Sequence, residues 1–278
     1  MPMGVEPLVV SDFDGHMTDD EAGIQPFRER HLELFSARTE VSASEVEPIF
    51  TVAEEEVDKD PTHGLEDKGK IMSPIGVYSK ITRATEVVLD QLGRLKDPEE
   101  RKTFLDKLYH DSYPSARTVF RPYAADYLRR LSEVARVIIV TSSKADAVLK
   151  RLKLLEGAPQ VPVVGNARKK EYEEGLSVPQ KEILIPGFRA IQTRRGAYYK
   201  VLKEIGALNT DRKRVTVAGD NFELDLSLPF VLGMKVALLD KGDPRKRYEA
   251  AFLSKQQNAI VGTTLEELTD KIIEIITQ

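Results

Sequence analysis

Apolar residues follow two different patterns along the chain. Short apolar runs predict buried strands; they cover residues 7–11, 137–140, 161–164, 215–218, 235–239 and 259–261. From about residue 120 onward these runs alternate with segments such as Val148, Leu149, Leu152 and Leu155, whose apolar residues recur at helical spacing. Alternation of strand and helix predicts an α/β fold, with a Rossmann-like parallel sheet covered by helices on both faces.

Residues 21–115 carry a different pattern, with no strong strand. Apolar residues at helical spacing predict four amphipathic helices there, and the polar segment 58–74, which contains two prolines and two glycines, predicts a loop. The first strand precedes this block and the α/β pattern resumes after it. We therefore predict an α/β core domain from residues 1–20 and 116–278, interrupted by an inserted all-helical domain, because surface loops tolerate insertions.

Charge and composition narrow the class of protein. The 278 residues include 41 basic and 45 acidic side chains, so the formal charge of −4 provides no overall field for nucleic acid. Cysteine is absent, which excludes a disulfide framework, a thiolate nucleophile and a cysteine zinc site. No apolar run approaches the ~20 residues that cross a bilayer, and no signal peptide is visible. We therefore expect a soluble, cytoplasmic protein with neither nucleic acid nor membrane as a partner.

The segment that follows the first predicted strand carries two aspartates, Asp12 and Asp14, and then Gly15 and His16. In a parallel sheet, ligands bind beyond the carboxyl ends of the strands. Two carboxylates so close together repel each other, and a cation, a proton or a basic side chain must compensate. Gly15 allows a sharp turn and a close approach of the backbone to a ligand. The alternative is an ordinary acidic turn, since Asp and Gly are common turn residues.

Asp220 and Asp225 come just after another apolar strand. If this strand and the first one are neighbours in the centre of the sheet, these carboxylates would meet Asp12 and Asp14 at one edge. Several carboxylates without cysteine favour a hard cation with oxygen ligands, most simply Mg²⁺. The alternative is a Gly-Asp-Asn turn followed by aspartates that cap a helix.

Hydroxyl groups follow a third strand, where Thr141, Ser142 and Ser143 precede a helix. Hydroxyls and free backbone N–H groups at a helix N-terminus suit an oxyanion such as phosphate. The alternative is an ordinary Ser/Thr cap. The shared placement of the three segments, each after a strand, indicates a single site at one edge of the sheet.

Taken together, these segments resemble the motifs of the haloacid dehalogenase-like (HAD) superfamily of phosphatases. Asp12-Phe13-Asp14-Gly15 resembles the first motif, Asp-x-Asp-Gly-Thr, Thr141 with Ser142 resembles the second, and Gly219-Asp220 followed by Asp225 resembles the fourth. The resemblance covers roughly residues 6–20 and 116–278. The inserted helices lie directly after the first motif, where this family carries a cap that closes over the site.

The resemblance implies a role for each residue that matches a motif. Asp12 would be the nucleophile that forms an aspartyl-phosphate, and Asp14 would act as general acid and then as general base. Thr141 would hydrogen-bond a phosphoryl oxygen. An aspartate at the position of Asp14 resembles the phosphotransferase branch of the family rather than the dehalogenases, which lack it.

The resemblance also implies a binding set. Gly15, the main chain of His16 and Ser142 would bind the substrate phosphate. Mg²⁺ would be held by the carboxylates of Asp12 and Asp220, by the backbone carbonyl of Asp14, and by Asp225 through water.

Two positions depart from the family's pattern. Aligning the third motif places Arg194 where Lys is common, with Arg195 and Lys200 as competitors; the alternative for Arg194 is a solvated charge at a helix start. His16 stands where Thr or a small apolar residue is usual, and packing or solvent exposure of its imidazole is the alternative to a contact with substrate. The basic run 168–170 predicts a solvated loop, with receipt of an anionic substrate as the alternative.

We therefore predict a Mg²⁺-dependent phosphatase of a small phosphorylated metabolite, such as a sugar phosphate or a nucleotide. Polar residues of the cap, with the segment 58–74 as the candidate, would set its specificity. Two alternatives stay open. One is a phosphotransferase or mutase that passes the phosphoryl group to an acceptor other than water, and the other is a non-catalytic protein that binds a phosphate ligand.

Overall fold

The computed structural model describes residues 6–59 and 64–278. Its strands are β1 (Leu8–Ser11), β2 (Gly64–Asp67), β3 (Lys70–Pro74), β4 (Arg136–Val140), β5 (Val163–Val164), β6 (Glu182–Ile183), β7 (Ile191–Gln192), β8 (Val215–Gly219), β9 (Lys235–Leu239) and β10 (Ala259–Gly262). Its helices are α1 (Asp20–Gly23), α2 (Gln25–Thr39), α3 (Ala43–Lys59), α4 (Val77–Gln91), α5 (Pro98–Ser112), α6 (Ala124–Ser132), α7 (Ala145–Leu152), α8 (Gly196–Glu204), α9 (Ser227–Val231), α10 (Arg247–Leu253) and α11 (Leu265–Thr277).

The main sheet has six strands in the order β10-β9-β8-β1-β4-β5, and each neighbouring pair is parallel. This confirms the predicted strands and the predicted α/β class. β1 lies between β4 and β8, with Leu8 in register with both Arg136 and Val215. Segments far apart in sequence therefore end side by side at the carboxyl edge of the sheet.

Both faces of the sheet are covered, as the continuous apolar strands require. Side chains alternate across β1, so that Val9 packs on one face and Val10 on the other. The Val9 face is covered by α6, α7 and α11, and the Val10 face by α8, α9 and α10. Each large aliphatic side chain fully buried in these layers contributes about 2 kcal/mol, and the paired cores hold β1 in place.

The chain divides into two compact units. The first is formed by the residues up to Thr18, by Glu66–Ser73 and by Phe120–Gln278; the second comprises Asp19–Leu65 and Pro74–Val119. Apolar side chains from α2 to α5 form the core of the second unit; they include Phe27, Phe35, Phe50, Ile81, Val88 and Leu108. These four long helices follow the periodicity that the sequence predicts for the insert.

The segment 58–74 differs from the loop expected from its composition. Residues 64–67 and 70–74 are the strands β2 and β3 of a hairpin, here called the Gly64–Pro74 hairpin, and residues 60–63 lie outside the described part. Lys68 and Gly69 join the strands with φ of 48° and 71°, the left-handed pair of a type I′ turn. A polar sequence hides this element because its half-exposed strands lack an apolar face long enough to be recognised.

Candidate active site

Two neighbouring strands deliver acidic side chains to one edge of the main sheet. Asp12 follows β1, whereas Asp220 and Asp225 follow β8, and oxygen atoms of the three carboxylates lie within 4.8 Å of one another. All three residues are buried. The parallel pairing of β1 with β8 produces this arrangement, because it aligns Ser11 with Ala218 just before the two segments leave the sheet.

Lys169 is the basic residue beside these carboxylates. Its Nζ lies 2.6 Å from Oδ1 of Asp12 and 2.8 Å from Oδ1 of Asp225, and only 4% of its side chain is exposed. The expectation of a solvated loop at 168–170 is therefore wrong for Lys169. A clue was present in the sequence: this lysine follows the apolar run 161–164, and β5 borders β4 in the sheet, so the segment after it returns to the same edge.

Arg194, the residue that the sequence alignment assigned to this place, lies elsewhere. Its guanidinium donates to the carbonyl of Glu174 at 2.7 Å and stacks 4.9 Å from the centre of the Tyr172 ring. Lys200, a competitor, is 70% exposed and pairs with Glu173. The alignment failed because it sought the basic residue at a helix start, whereas Lys169 lies in an irregular segment.

Arg195, the other competitor, is wholly buried but contacts none of the carboxylates. Its nitrogen atoms donate to the carbonyls of Lys169 and Met72 and to the hydroxyl of Ser227. It therefore acts on the backbone around the site rather than on Asp12.

Burial and charge perturb the cluster strongly. Burial, together with the neighbouring Asp225 charge, raises the pKa of Asp12 well above its ordinary value, although Lys169 opposes the shift. Burial also raises the pKa of Asp225. Burial disfavours the charge on Lys169, but Asp12 and Asp225 outweigh it, and the lysine pKa lies above its ordinary value. Asp12 and Asp225 share the one ammonium of Lys169, and a bound cation would further reduce the repulsion between these carboxylates.

Asp220 has its own basic partners. Nζ of Lys241 lies 2.8 Å from its Oδ2, and Nζ of Lys246 lies 4.0 Å away. Burial alone would raise the pKa of Asp220, yet the two lysines hold it below its ordinary value. Gly15 packs against this carboxylate with φ +80°, and a Cβ at Gly15 would lie 2.8 Å from Oδ2. The turn after β1 therefore requires glycine for both conformation and space.

Asp14 turns toward the segment that follows β4. Its Oδ2 accepts hydrogen bonds from Thr141 Oγ1 at 3.0 Å and Ser143 Oγ at 2.8 Å, and its Oδ1 accepts from Arg151 at 2.6 Å. The Arg151 guanidinium also stacks 4.7 Å from the centre of the Phe13 ring. Sequence reasoning missed Arg151, because a cation in the last turn of α7 is usual and carries no motif.

His16 and Ser142 serve the surrounding scaffold. His16 is wholly buried, and its Nε2 hydrogen-bonds the Tyr127 hydroxyl at 3.1 Å. Tyr127 donates to Ser11 Oγ at 3.0 Å. Burial lowers the pKa of His16 to about 3, so the imidazole is neutral and packs internally instead of presenting a charge to substrate. Ser142 Oγ accepts from the backbone N–H of Lys169 at 3.3 Å.

Comparison with known proteins bears on the fold. No protein-family model matches the chain, and no match is found among the curated proteins. A haloacid dehalogenase-like family hydrolase from Xanthomonas campestris is similar in structure, with a TM-score of 0.54 and 11% identity over 99% of this chain and 98% of that one. The HAD-hydrolase YfnB from Bacillus subtilis, solved bound to magnesium, has a TM-score of 0.53 and 13% identity over 98% and 99% of the two chains.

A third similar structure is the 2-haloacid dehalogenase from Pseudomonas syringae pv. Tomato DC3000, with a TM-score of 0.51 and 15% identity over 97% of this chain and 99% of that one. The protein therefore has the fold of the HAD-like hydrolases, with helical insertions consistent with a cap. Since these neighbours include a dehalogenase, the fold alone does not define the reaction.

Proposed function

We propose that the protein is a Mg²⁺-dependent phosphatase that hydrolyses a small phosphorylated metabolite through an aspartyl-phosphate on Asp12. The observation that carries this proposal is the buried cluster of Asp12, Asp220 and Asp225 with Lys169. A nucleophilic carboxylate, a basic residue bonded to it and two further acidic residues supply what phosphoryl transfer requires. Asp14, two residues after Asp12, favours this chemistry over dehalogenation.

The residues present fit a Mg²⁺ ion. Their oxygen donors lie close together, belong to carboxylates and include no sulfur, the donor set of a hard cation. The absence of a Cβ at Gly15 lets the Asp220 carboxylate pack closely against the turn after β1, beside Asp12. Asp12, Asp220 and the backbone carbonyl of Asp14 would hold the ion, with Asp225 acting through water. Bound there, Mg²⁺ would reduce the repulsion between the Asp12 carboxylate and the anionic substrate.

The chain's own groups would divide the reaction into two steps. In the first, a carboxylate oxygen of Asp12 attacks phosphorus, the bond from phosphorus to the leaving oxygen breaks, and Asp14 gives that oxygen a proton. In the second, Asp14 takes a proton from water, which attacks the same phosphorus and releases phosphate and free Asp12. Thr141 and Lys169 would bind phosphoryl oxygens. Asp14 must then exchange its present bond to Thr141 for one to the substrate.

The test is hydrolysis of p-nitrophenyl phosphate and of a library of phosphorylated metabolites, with Mg²⁺ and with EDTA. We expect Mg²⁺-dependent turnover that Asp12→Asn abolishes and that Asp14→Asn lowers about 10²- to 10⁴-fold, the usual range for an acid–base group. Asp126→Asn is the matched control, because Asp126 pairs with Arg129 on the exposed side of α6. A folded wild-type protein that is inert toward every phosphoester would refute the proposal.

Dehalogenation is the second candidate, favoured by the structural similarity to the 2-haloacid dehalogenase. It predicts release of halide from a 2-haloalkanoate without Mg²⁺, with Asp12 again as nucleophile. Halide release by wild type, together with no turnover in the phosphatase assay, would favour this activity.

A phosphotransferase or mutase would instead form a phosphorylated product with a competing alcohol. A non-catalytic protein would bind phosphate ligands without turnover.

The proposal extends to the partner and to the location. A small metabolite in the cytoplasm, without nucleic acid or membrane as a partner, is consistent with the charge balance and with the absence of cysteine. Within residues 6–59 and 64–278, no helix combines the length and the apolar character needed to cross a membrane. Fractionation of cells that express the full chain would test the location.

A further inference from the structure

The segment that carries Lys169 has no regular secondary structure of its own. It follows β5 and precedes β6, and its residues Asn166 and Arg168 have φ of 54° and 44°. A helix or strand would hold a side chain through its own ladder of hydrogen bonds, which an irregular segment lacks. Lys169 nevertheless bridges Asp12 and Asp225 at 2.6 and 2.8 Å, so other groups must fix its backbone.

Arg195 holds this backbone from inside the protein. It is the largest of the fully buried side chains, and its three hydrogen bonds go to neutral oxygens. One guanidinium nitrogen donates to the carbonyl of Lys169 at 2.9 Å, another to the carbonyl of Met72 at 2.6 Å, and Nε donates to Ser227 Oγ at 3.4 Å. Burial lowers its pKa to about 10, so it stays charged at neutral pH.

Such a buried cation carries a large desolvation cost. A neutral side chain could fill the same space without that cost. The planar guanidinium differs because it donates in several directions at fixed angles. In this position it joins three separate segments at one point: the Lys169 segment, β3 of the hairpin and the start of α9.

The Gly64–Pro74 hairpin makes a second connection to the same segment. Asp67 Oδ2 accepts from the backbone N–H of Tyr172 at 2.6 Å, and Lys68 Nζ donates to the Tyr172 carbonyl at 2.9 Å. Ser142 Oγ accepts from the N–H of Lys169. The backbone N–H and the carbonyl of Lys169, and those of Tyr172, are therefore all hydrogen-bonded to side chains of other segments.

We infer that Arg195, together with the Gly64–Pro74 hairpin, is a positioning device that holds Lys169 against Asp12. The inference rests on the proposed function and deepens it. It assigns a role to a buried arginine and to the Gly64–Pro74 hairpin, neither of which is hydrogen-bonded to the carboxylates of the cluster. A displacement of about 1 Å in a catalytic group can cost 10²-fold in rate. Loss of the Arg195 bonds would release the Lys169 carbonyl and permit such a displacement.

The test compares Arg195→Gln and Arg195→Lys with a matched control, Arg194→Gln. The wild-type Arg194 side chain is partly exposed, and its guanidinium stacks on Tyr172. The first readout is hydrogen exchange of peptides that cover residues 165–172 and 66–73. We expect exchange there to rise at least tenfold in Arg195→Gln, with a smaller rise in Arg194→Gln, which removes only the contact with the Tyr172 ring and the bond to Glu174. Arg195→Lys should restore part of the protection, because an ammonium can still donate to one or two of the three oxygens.

The second readout is turnover of p-nitrophenyl phosphate with Mg²⁺, well below the melting temperature of each variant. We expect kcat to fall about 10²-fold in Arg195→Gln with a smaller change in KM, to recover partly in Arg195→Lys, and to stay near wild type in Arg194→Gln. Asp67→Ala gives an independent variant in case Arg195→Gln does not fold. It removes the acceptor for Tyr172 and should raise local exchange and lower kcat to a lesser degree.

The outcomes separate this inference from the proposed function. If the wild type is inert toward phosphoesters, the proposed function fails, while the exchange measurements still decide whether Arg195 fixes the Lys169 segment. If Arg195→Gln lowers only the melting temperature and leaves local exchange and kcat at wild-type values, Arg195 is merely structural and the inference is overturned. Equal effects of the Arg194 and Arg195 variants would overturn it as well.

Discussion

Glu249 makes the stability of this fold depend on pH in a direction that can be tested. This residue of α10 is buried, and its Oε2 accepts a hydrogen bond at 2.9 Å from the backbone N–H of Phe222, just before the turn that carries Asp225. Tyr248 donates to its Oε1 at 3.3 Å. Burial raises the pKa of Glu249 from 4.5 to about 8, against the opposing charge of Lys246.

The sign follows from proton linkage. Between pH 4.5 and about 8 the folded protein keeps the Glu249 proton, whereas the unfolded chain has lost it. The folded state then binds more protons, so the free energy of unfolding contributed by this group falls as the pH rises through that interval. At about 1.4 kcal/mol per pH unit, the loss reaches about 5 kcal/mol by pH 8.

Glu249→Gln tests this reasoning, because an amide is never charged and its oxygen still accepts from Phe222 N–H. We expect the free energies of unfolding of variant and wild type to agree within about 1 kcal/mol at pH 5. At pH 8.5 the variant should be the more stable by several kcal/mol, about 3 to 5. Urea titrations at both pH values, without Mg²⁺, give the two differences.

The matched control is Glu266→Gln, an exposed carboxyl in the first turn of α11. Its stability should parallel that of wild type at both pH values. The comparison of variant with wild type isolates Glu249 from Asp12 and Asp225, whose raised pKa values are present in both proteins. A difference between Glu249→Gln and wild type that is the same at pH 5 and at pH 8.5 would refute the assignment.

Three further predictions concern the site. Lys169→Met should lower kcat about 10³-fold, since it removes a preorganised charge, whereas Arg194→Met should keep kcat within about threefold of wild type. A larger loss of kcat in Arg194→Met, measured by steady-state kinetics, would show that Arg194 is the catalytic basic residue, as the sequence predicts. Lys241→Gln should tighten Mg²⁺ binding several-fold by calorimetry, because the ammonium 2.8 Å from Asp220 competes for that carboxylate; weaker binding would contradict this. Gly15→Ala should weaken Mg²⁺ binding about tenfold and lower the melting temperature, because its Cβ would collide with Asp220 and because the positive φ of this residue strains an alanine. An unchanged affinity for Mg²⁺ would show that the turn adapts.

The fold and the acidic cluster could be predicted because both depend on regular elements. Apolar runs place the strands, and parallel pairing then brings Asp12 and Asp220 to one edge whatever the intervening sequence does. Lys169 could not be placed in this way, because an irregular segment has no period that shows which side chain points inward. Its neighbours Arg168 and Lys170 have the same charge, and only the three-dimensional path distinguishes them.

The two adjacent arginines show the same limit. The sequence identifies a basic pair before α8, but which member is buried depends on where that helix begins, at Gly196. Arg195 directly precedes this start and lies inside, while Arg194 lies against Tyr172. The Gly64–Pro74 hairpin was hidden for a related reason, since its contacts are to distant backbone groups that leave no pattern in its own residues.

The central place of β1 has a consequence for how the chain acquires its structure during synthesis. This strand leaves the ribosome before both of its hydrogen-bonding neighbours, which begin at Arg136 and Val215. Until both neighbours have been synthesised, β1 has unpaired hydrogen-bonding groups along both edges, which exposes it to incorrect pairing. The helices of the second unit, whose contacts are closer in sequence, can assemble meanwhile. A strand that is synthesised before both of its neighbours is thus among the last to find its partners.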